Sequence, residues 1–212
     1  MKRNLIIIGA SGLAREVYDL ALICYGHESD FTIKGFLSDG PSNIEELGYP
    51  KVLSKVASYQ IEEDDVFFCG IGNVRDRKKT VNIIREKGGK FINLIHPTAV
   101  ISPSVKLGTG IAIKAFCVIS NDVKIKDFTY LQSSVIMGHD VEVGEFCQIN
   151  SFAFFAGYVN ISDLVSINAG AKIIQNVKIE EGSVVGMGSV VINRVKKETT
   201  VFGIPAKKLR TV

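Results

Sequence analysis

The chain has 212 residues, a formal net charge of +3 and 46% hydrophobic residues. This length allows two small domains, and a mild charge without a dense Lys/Arg run argues against a nucleic-acid partner. No apolar run approaches the ~18 residues of a membrane span. The four cysteines show no CxxC spacing, so we expect reduced thiols in a cytoplasmic protein.

The first ninety residues alternate between strand and helix patterns. Strands are predicted at 4–8, 31–37, 66–69 and 90–94, and helices at 13–25 and 74–87. This alternation is typical of a small parallel sheet covered by helices. Residues 1–93 are therefore predicted to form a Rossmann-like half domain of the α/β class.

A glycine turn, Gly9-Ala-Ser-Gly12, joins the first predicted strand to the first helix. It lacks the later glycines of the dinucleotide fingerprint, and a tight turn without a ligand is the alternative. Backbone N–H groups at a helix N-terminus nevertheless favour phosphate, and ligands collect at the carboxyl ends of parallel strands. The residues predicted to form this edge are Ser11, Gly12, Asp39, Gly72 and Asn73.

From Ile95 to Lys196 a six-residue pattern repeats 17 times without an insertion. The first position is always apolar and the fifth is always small or β-branched, so both face inward on an extended segment. Three such hexads per triangular coil predict a parallel β-helix over residues 94–212, with five to six coils and a short C-terminal tail. A purely structural solenoid is the alternative. Residues near the corners are expected to supply positive φ: Gly108, Gly110, Asn121, Gly138, Gly144, Gly157, Gly170, Gly182 and Gly188.

The order of motifs resembles the NeuD/PglD-type sugar O-/N-acyltransferases, which include the bacillosamine-pathway N-acetyltransferases and sialic-acid O-acetyltransferases. The resemblance covers the whole chain and rests on the turn at 9–12 and on the segments at 94–103, 138–140, 144–146, 156–157 and 202–207. It implies a left-handed β-helix and a homotrimer. It further implies that acetyl-CoA lies in the groove between neighbouring prisms and that a nucleotide-linked sugar docks on the N-terminal domain.

His139 stands at the third position of its hexad, near a corner, and should face outward. In the resembling family the matching histidine is the general base, and an imidazole suits removal of a proton from an amine or hydroxyl. Asp140 matches the acidic partner that orients the imidazole. Adjacent strand residues point to opposite faces, so the two side chains can meet only if Asp140 lies in the corner.

Two family histidines are replaced in this chain, one by Leu13 and one by Gln148. Gln148 can still donate a hydrogen bond to a carbonyl. By positional match, Gly157, Ala169 and Met187 line the pantetheine groove, with the Gly157 N–H as an oxyanion donor.

Two lysines after Pro205, Lys207 and Lys208, either meet the 3′-phosphate of the coenzyme or belong to a solvated tail. The three histidines of the chain lie too far apart in sequence for a carbonic-anhydrase zinc site, and no metal is expected.

The leading prediction for function is N-acetylation of a nucleotide-linked amino sugar by acetyl-CoA, for surface glycan or polysaccharide synthesis. O-acetylation of a sialic-acid-like sugar is the second prediction. A non-enzymatic trimeric scaffold is the third.

Overall fold

The computed structural model describes residues 2–212, which form two compact units that divide between Leu94 and Ile95. Within these described residues, neither helix is long and apolar enough to cross a bilayer.

The first unit is a five-stranded parallel sheet with two helices. Its elements are β1 (Arg3–Ile8), α1 (Gly12–Tyr25), β2 (Phe31–Leu37), β3 (Val52–Ser54), β4 (Asp65–Cys69), α2 (Val74–Glu86) and β5 (Lys90–Phe91). The strand order is β3-β2-β1-β4-β5. The predicted strands and helices are all present. The short strand β3 was not predicted, because three residues carry no readable alternation.

Strand β1 is the centre of this sheet and lies between β2 and β4. The chain leaves β1 for β2 on one side and later reaches β4 on the other, so the strand order reverses beside β1. Helix α1 packs closely on the end of β4, where a Cβ on Gly70 would be 2.6 Å from the Cα of Ala14. The carboxyl ends of β1, β2 and β4 thus meet at a switch point, where open α/β sheets bind ligands.

The second unit is a solenoid built from the hexads. Between residues 94 and 191 it contains 17 strands of two residues, numbered β6 to β22 in chain order: Leu94–Ile95, Val100–Ile101, Lys106–Leu107, Ala112–Ile113, Val118–Ile119, Lys124–Ile125, Tyr130–Leu131, Ile136–Met137, Glu142–Val143, Gln148–Ile149, Phe154–Phe155, Asn160–Ile161, Ser166–Ile167, Lys172–Ile173, Lys178–Ile179, Val184–Val185 and Val190–Val191.

Each strand pairs in parallel with the strands three places before and after it. Val118 lies between Val100 and Ile136, a spacing of 18 residues, so one coil contains three hexads as predicted. The first face of the prism is the sheet β7-β10-β13-β16-β19-β22, and the second is β8-β11-β14-β17-β20. The third face contains β6, β9, β12, β15, β18 and β21. First and fifth positions fill the interior, where Ile113, Val135 and Ile149 are fully buried.

The corners correct one sequence expectation. Between residues 110 and 188, every fourth hexad position has φ between 55° and 69°, and ten of these fourteen residues are not glycine. The expectation was right for Gly110, Gly170, Gly182 and Gly188. It was wrong for Gly108, Asn121, Gly138, Gly144 and Gly157, which stand at second or third positions and do not have positive φ.

Hydrogen bonds between coils hold this left-handed conformation. The fourth-position N–H of one coil donates to the third-position carbonyl of the coil before it, as from Asp140 N to Asn121 O at 3.0 Å. Stacking therefore overrides the usual cost of a left-handed non-glycine residue.

The predicted C-terminal tail is instead a hairpin. Strand β23 (Thr199–Gly203) continues the third face in parallel with β21, and β24 (Ala206–Thr211) returns antiparallel to it. Lys207 and Lys208 lie on this outer strand and are exposed to solvent.

Candidate active site

His139 and Asp140 form the corner between β13 (Ile136–Met137) and β14 (Glu142–Val143). Asp140 occupies the fourth position with φ of 57°, so its side chain does not alternate away from His139. The imidazole Nδ1 lies 2.9 Å from Asp140 Oδ2. An ionised carboxylate only accepts, so Nδ1 carries the proton and donates, which leaves the Nε2 lone pair available as a base.

Gly157 lies one coil beyond His139, at the same third position. A Cβ built on Gly157 would be 2.7 Å from both Cε1 and Nε2 of the imidazole. This distance is far below ordinary contact, so the imidazole occupies the space that any side chain at this position would need. Glycine at residue 157 is thus what lets His139 lie flat against the next coil.

Tyr158 is a neighbour of His139 that the sequence reasoning missed. Its ring stands at 86° to the imidazole, with 5.0 Å between the ring centroids. The signal that could have found it is the coil period, because Tyr158 follows Asp140 by 18 residues. The imidazole therefore has Asp140, Gly157 and Tyr158 as three different neighbours, while half of its side chain stays exposed.

The N–H group of Gly157 points away from the backbone ladder, as third-position N–H groups do. At another corner such groups are capped by aspartates of the next coil: Thr109 N donates to Asp127 Oδ1 at 2.9 Å, and Glu145 N donates to Asp163 Oδ1 at 2.8 Å. Among residues 2–212, the Gly157 N–H has no recorded acceptor of this kind. It can therefore donate to a ligand beside His139.

A cavity of about 310 Å³ adjoins the catalytic corner on the second face of the prism. Its polar lining is Asp122, Lys124, Asp140, Glu142, Tyr158 and Asn160. A second cavity, of about 430 Å³, shares three of these residues. The Lys124 ammonium bonds Glu142 Oε1 at 2.7 Å, and this hydrogen bond raises the pKa of Lys124, with smaller contributions from Asp140 and Asp122. Three carboxylates against one ammonium make the space beside Asp140 negative.

Three residues proposed for the coenzyme lie elsewhere on the prism. Gln148 is in β15 on the third face, and Ala169 and Met187 are at the corner that follows that face. Gln148 is buried and its Nε2 donates to Asn150 Oδ1 at 3.2 Å, while Met187 is 67% exposed. Within one chain these residues therefore do not meet the corner of His139.

The residues predicted to bind the substrate are brought together in the first unit. Ser11, Gly12 and Leu13 follow β1, Asp39 follows β2, and Gly72 and Asn73 follow β4. Strand order makes these three ends neighbours at one edge of the sheet.

The side chains at this edge differ in how they are engaged. Ser11 is the N-cap residue of α1 but makes no capping bond with its side chain, and a Cβ on Gly12 would meet only an Arg15 nitrogen at 3.9 Å. Asn73 Oδ1 accepts from the N–H groups of residues 75 and 76 and so caps α2. Asp39 Oδ1 accepts from Val56 N at 2.9 Å. The turn after β1 thus remains open to a ligand, whereas Asp39 and Asn73 also serve the fold.

The remaining histidines stand apart from this chemistry. His96 Nδ1 accepts from Thr98 N at 3.1 Å at the start of the solenoid, and His27 is an exposed residue after α1. In the described part of the chain, no group of three or more His, Cys, Asp or Glu side chains is arranged to hold a metal ion.

Comparison with family models matches both units. Residues 4–84 match the model of the PglD N-terminal domain, and residues 90–182 match that of the GMPPB C-terminal domain.

Comparison with solved structures extends the match to the whole chain. PerB from Caulobacter crescentus, in complex with CoA and GDP-perosamine, is 30% identical with a TM-score of 0.85, and the match covers 97% of this chain and 96% of that one. The acetyltransferase domain of PglB from Neisseria gonorrhoeae FA1090, in complex with acetyl coenzyme A, is 28% identical with a TM-score of 0.86, and the match covers 99% and 100%. A variant of perosamine N-acetyltransferase from C. crescentus, with a histidine replaced by asparagine, is 28% identical with a TM-score of 0.87, over 97% and 96%.

These matches confirm the predicted fold class, an α/β half domain followed by a left-handed parallel β-helix. They also exclude the non-enzymatic scaffold, since the relatives are acetyltransferases along their whole length. The chain is an acyltransferase and belongs to the NeuD/PglD-type family of sugar acetyltransferases.

Proposed function

We propose that this protein transfers the acetyl group of acetyl-CoA to the amine of a nucleotide-linked amino sugar, for surface glycan or polysaccharide synthesis. The proposal further makes His139 the general base. The observation that carries it is the catalytic corner, where an imidazole with a protonated Nδ1 lies beside an open backbone N–H. The complexes of PerB with CoA and GDP-perosamine and of PglB with acetyl coenzyme A support the choice of substrates.

In the proposed reaction, the amine nitrogen attacks the thioester carbonyl while His139 Nε2 takes its proton. The carbonyl oxygen becomes an oxyanion, which the Gly157 N–H stabilises by a hydrogen bond. Collapse of the tetrahedral intermediate breaks the carbon–sulfur bond, and the imidazolium returns the proton to the departing CoA thiolate. Asp140 keeps Nδ1 protonated and stabilises the imidazolium. A base of this kind is worth about 10²–10⁴ in rate.

The charge of the cavity beside Asp140 favours an amine over a hydroxyl as the acceptor. An amino sugar arrives as an ammonium ion, which the carboxylates of Asp122, Asp140 and Glu142 attract. A hydroxyl gains no such attraction. This observation supports N-acetylation over O-acetylation of a sialic-acid-like sugar.

The exposed side chains of the prism support a homotrimer with the coenzyme between subunits. On the first face the outward residues Val100, Val118, Ile136 and Phe154 are 64%, 42%, 44% and 41% exposed. On the second face, the outward residues of β8, β11, β14, β17 and β20 are lysines, a glutamate and an asparagine. An apolar face of this size marks an interaction surface, and closed threefold symmetry would cover it three times.

A second copy would also complete the donor site. Ala169 and Met187 border the apolar face at one corner, and His139 borders it at the other. Packing of copies through this face can therefore bring the coenzyme residues of one subunit to the base of its neighbour. The homotrimer and a cytoplasmic location stay predictions.

The test is turnover of a panel of nucleotide-linked amino sugars with acetyl-CoA, followed by release of the CoA thiol. His139→Ala should lower kcat by about 10²-fold or more on the accepted sugar and leave the melting temperature nearly unchanged. His27→Ala is the matched control, since this exposed histidine lies in the other unit. A His139→Ala variant that keeps more than about a tenth of the wild-type kcat would show that His139 is not the base.

A further inference from the structure

We propose that Tyr158 is a positioning residue for His139, an inference that rests on the proposed function. Its ring holds the imidazole in the orientation in which Nδ1 bonds Asp140 and Nε2 faces the acceptor. Tyr158 is not part of the motif that marks this site in the sequence.

The contacts of the imidazole show what Asp140 alone would leave undetermined. The single bond from Nδ1 to Asp140, at 2.9 Å, fixes one nitrogen but permits the ring to swing about that bond. Gly157 closes one side, because its backbone lies against Cε1 and Nε2. The Tyr158 ring stands perpendicular to the imidazole, with 5.0 Å between the centroids, and closes another. A histidine side chain that is 52% exposed has few other constraints.

The coil stack keeps Tyr158 itself in place. Its N–H donates to the carbonyl of His139 at 3.1 Å, and its φ of 59° is the one that every neighbouring corner residue adopts. Base and ring are therefore joined through the backbone as well as through the side chains. Among the described residues, the Tyr158 hydroxyl has no recorded hydrogen bond, so the ring carries the contact.

A different role for Tyr158 would be to form only a wall of the acceptor cavity, which it also lines. In that case its loss would raise KM for the sugar and leave the imidazole unchanged. A positioning role instead lowers kcat and changes the tautomer of His139. The two roles are therefore separable by measurement.

Two variants at residue 158 suit the corner. Phenylalanine keeps the ring, and Phe146 and Phe152 already adopt this backbone conformation with φ of 55° and 61°. Leucine removes the ring, and Leu164 adopts the conformation with φ of 60°. Tyr158→Phe and Tyr158→Leu thus differ in the ring contact and not in backbone strain.

We expect Tyr158→Leu to lower kcat by about 10-fold, since misplacing a catalytic group by about 1 Å costs up to 10²-fold. Tyr158→Phe should stay within about twofold of wild type, and Kd for acetyl-CoA should be unchanged in both. A Leu variant whose only defect is a higher KM for the sugar would overturn the positioning role.

The second readout is ¹⁵N NMR of the histidine rings, which needs no substrate. The chain has only 3 histidines, and His139→Ala identifies the signal of residue 139. We expect the neutral ring to be protonated at Nδ1 in wild type and Tyr158→Phe, and to be a mixture of tautomers in Tyr158→Leu.

A Leu variant that keeps the wild-type tautomer overturns the proposal, whatever its activity. Mixed tautomers with an unchanged kcat would support the contact and count against His139 as the base, so the two hypotheses fail separately.

Discussion

A single methyl group at Gly157 should disable the catalytic corner without unfolding it. In Gly157→Ala the new Cβ would lie 2.7 Å from Cε1 and Nε2 of His139. Carbon atoms prefer a separation of about 3.5–4 Å, so the imidazole must retreat by roughly 1 Å. A misplacement of this size costs about 10²-fold in rate, which corresponds to about 2.7 kcal/mol of transition-state stabilisation.

The fold should tolerate this change. Ala115 and Ala169 occupy the third position at another corner, so alanine fits the backbone there. The melting temperature should therefore move by only a few degrees, as expected for a change of about 1 kcal/mol or less.

A double-mutant cycle identifies the cause. In the His139→Ala background no imidazole is left to displace, so adding Gly157→Ala should change the residual kcat by less than about twofold. Both kcat and Kd for acetyl-CoA would be measured for all four proteins. If Gly157→Ala lowers the residual rate as strongly without His139 as with it, the methyl acts on the coenzyme groove and the steric argument is refuted.

Two further predictions concern the other proposed surfaces. Gly12→Val should raise KM for the nucleotide sugar about tenfold or more and leave Kd for acetyl-CoA unchanged, because the side chain would meet little but Arg15 and so obstructs only a ligand. Calorimetry that finds acetyl-CoA weakened equally would instead place the coenzyme on the first unit. Ile136→Glu should convert the trimer to monomers at micromolar concentration, because it buries a charge in the apolar face. Light scattering that still finds trimers would contradict this assignment of the interface, and Lys106→Glu on the second face is the control.

The hexads made most of the solenoid predictable. A period of six with two inward positions allows one register, and the 18-residue pairing of Val100 with Val118 follows from it. The corner conformation was less predictable, because local preference suggested glycine and asparagine whereas the stacking bonds impose positive φ on residues such as Phe116 and Leu164. Intrinsic propensity is a weak guide where a repeated hydrogen bond overrides it.

The site was predictable to the extent that its residues are adjacent in sequence. His139 and Asp140 stand together in a motif, but the meeting of their side chains depends on the left-handed corner at Asp140. Tyr158 lies 19 residues beyond His139, and neither composition nor local pattern distinguishes it from the other aromatic corner residues. Arithmetic on the coil length is the one route from the sequence to that contact.

The 18-residue coil also acts as a ruler for the catalytic corner. Each coil advances the prism by about 4.8 Å, so the height of His139 above the start of the solenoid is quantised. Losing or gaining one residue in a hexad would rotate the base onto another face, whereas a whole coil would shift it by one step with its surroundings unchanged. Drift in loop length, which most enzymes tolerate around their active sites, is therefore forbidden here except in units of 18.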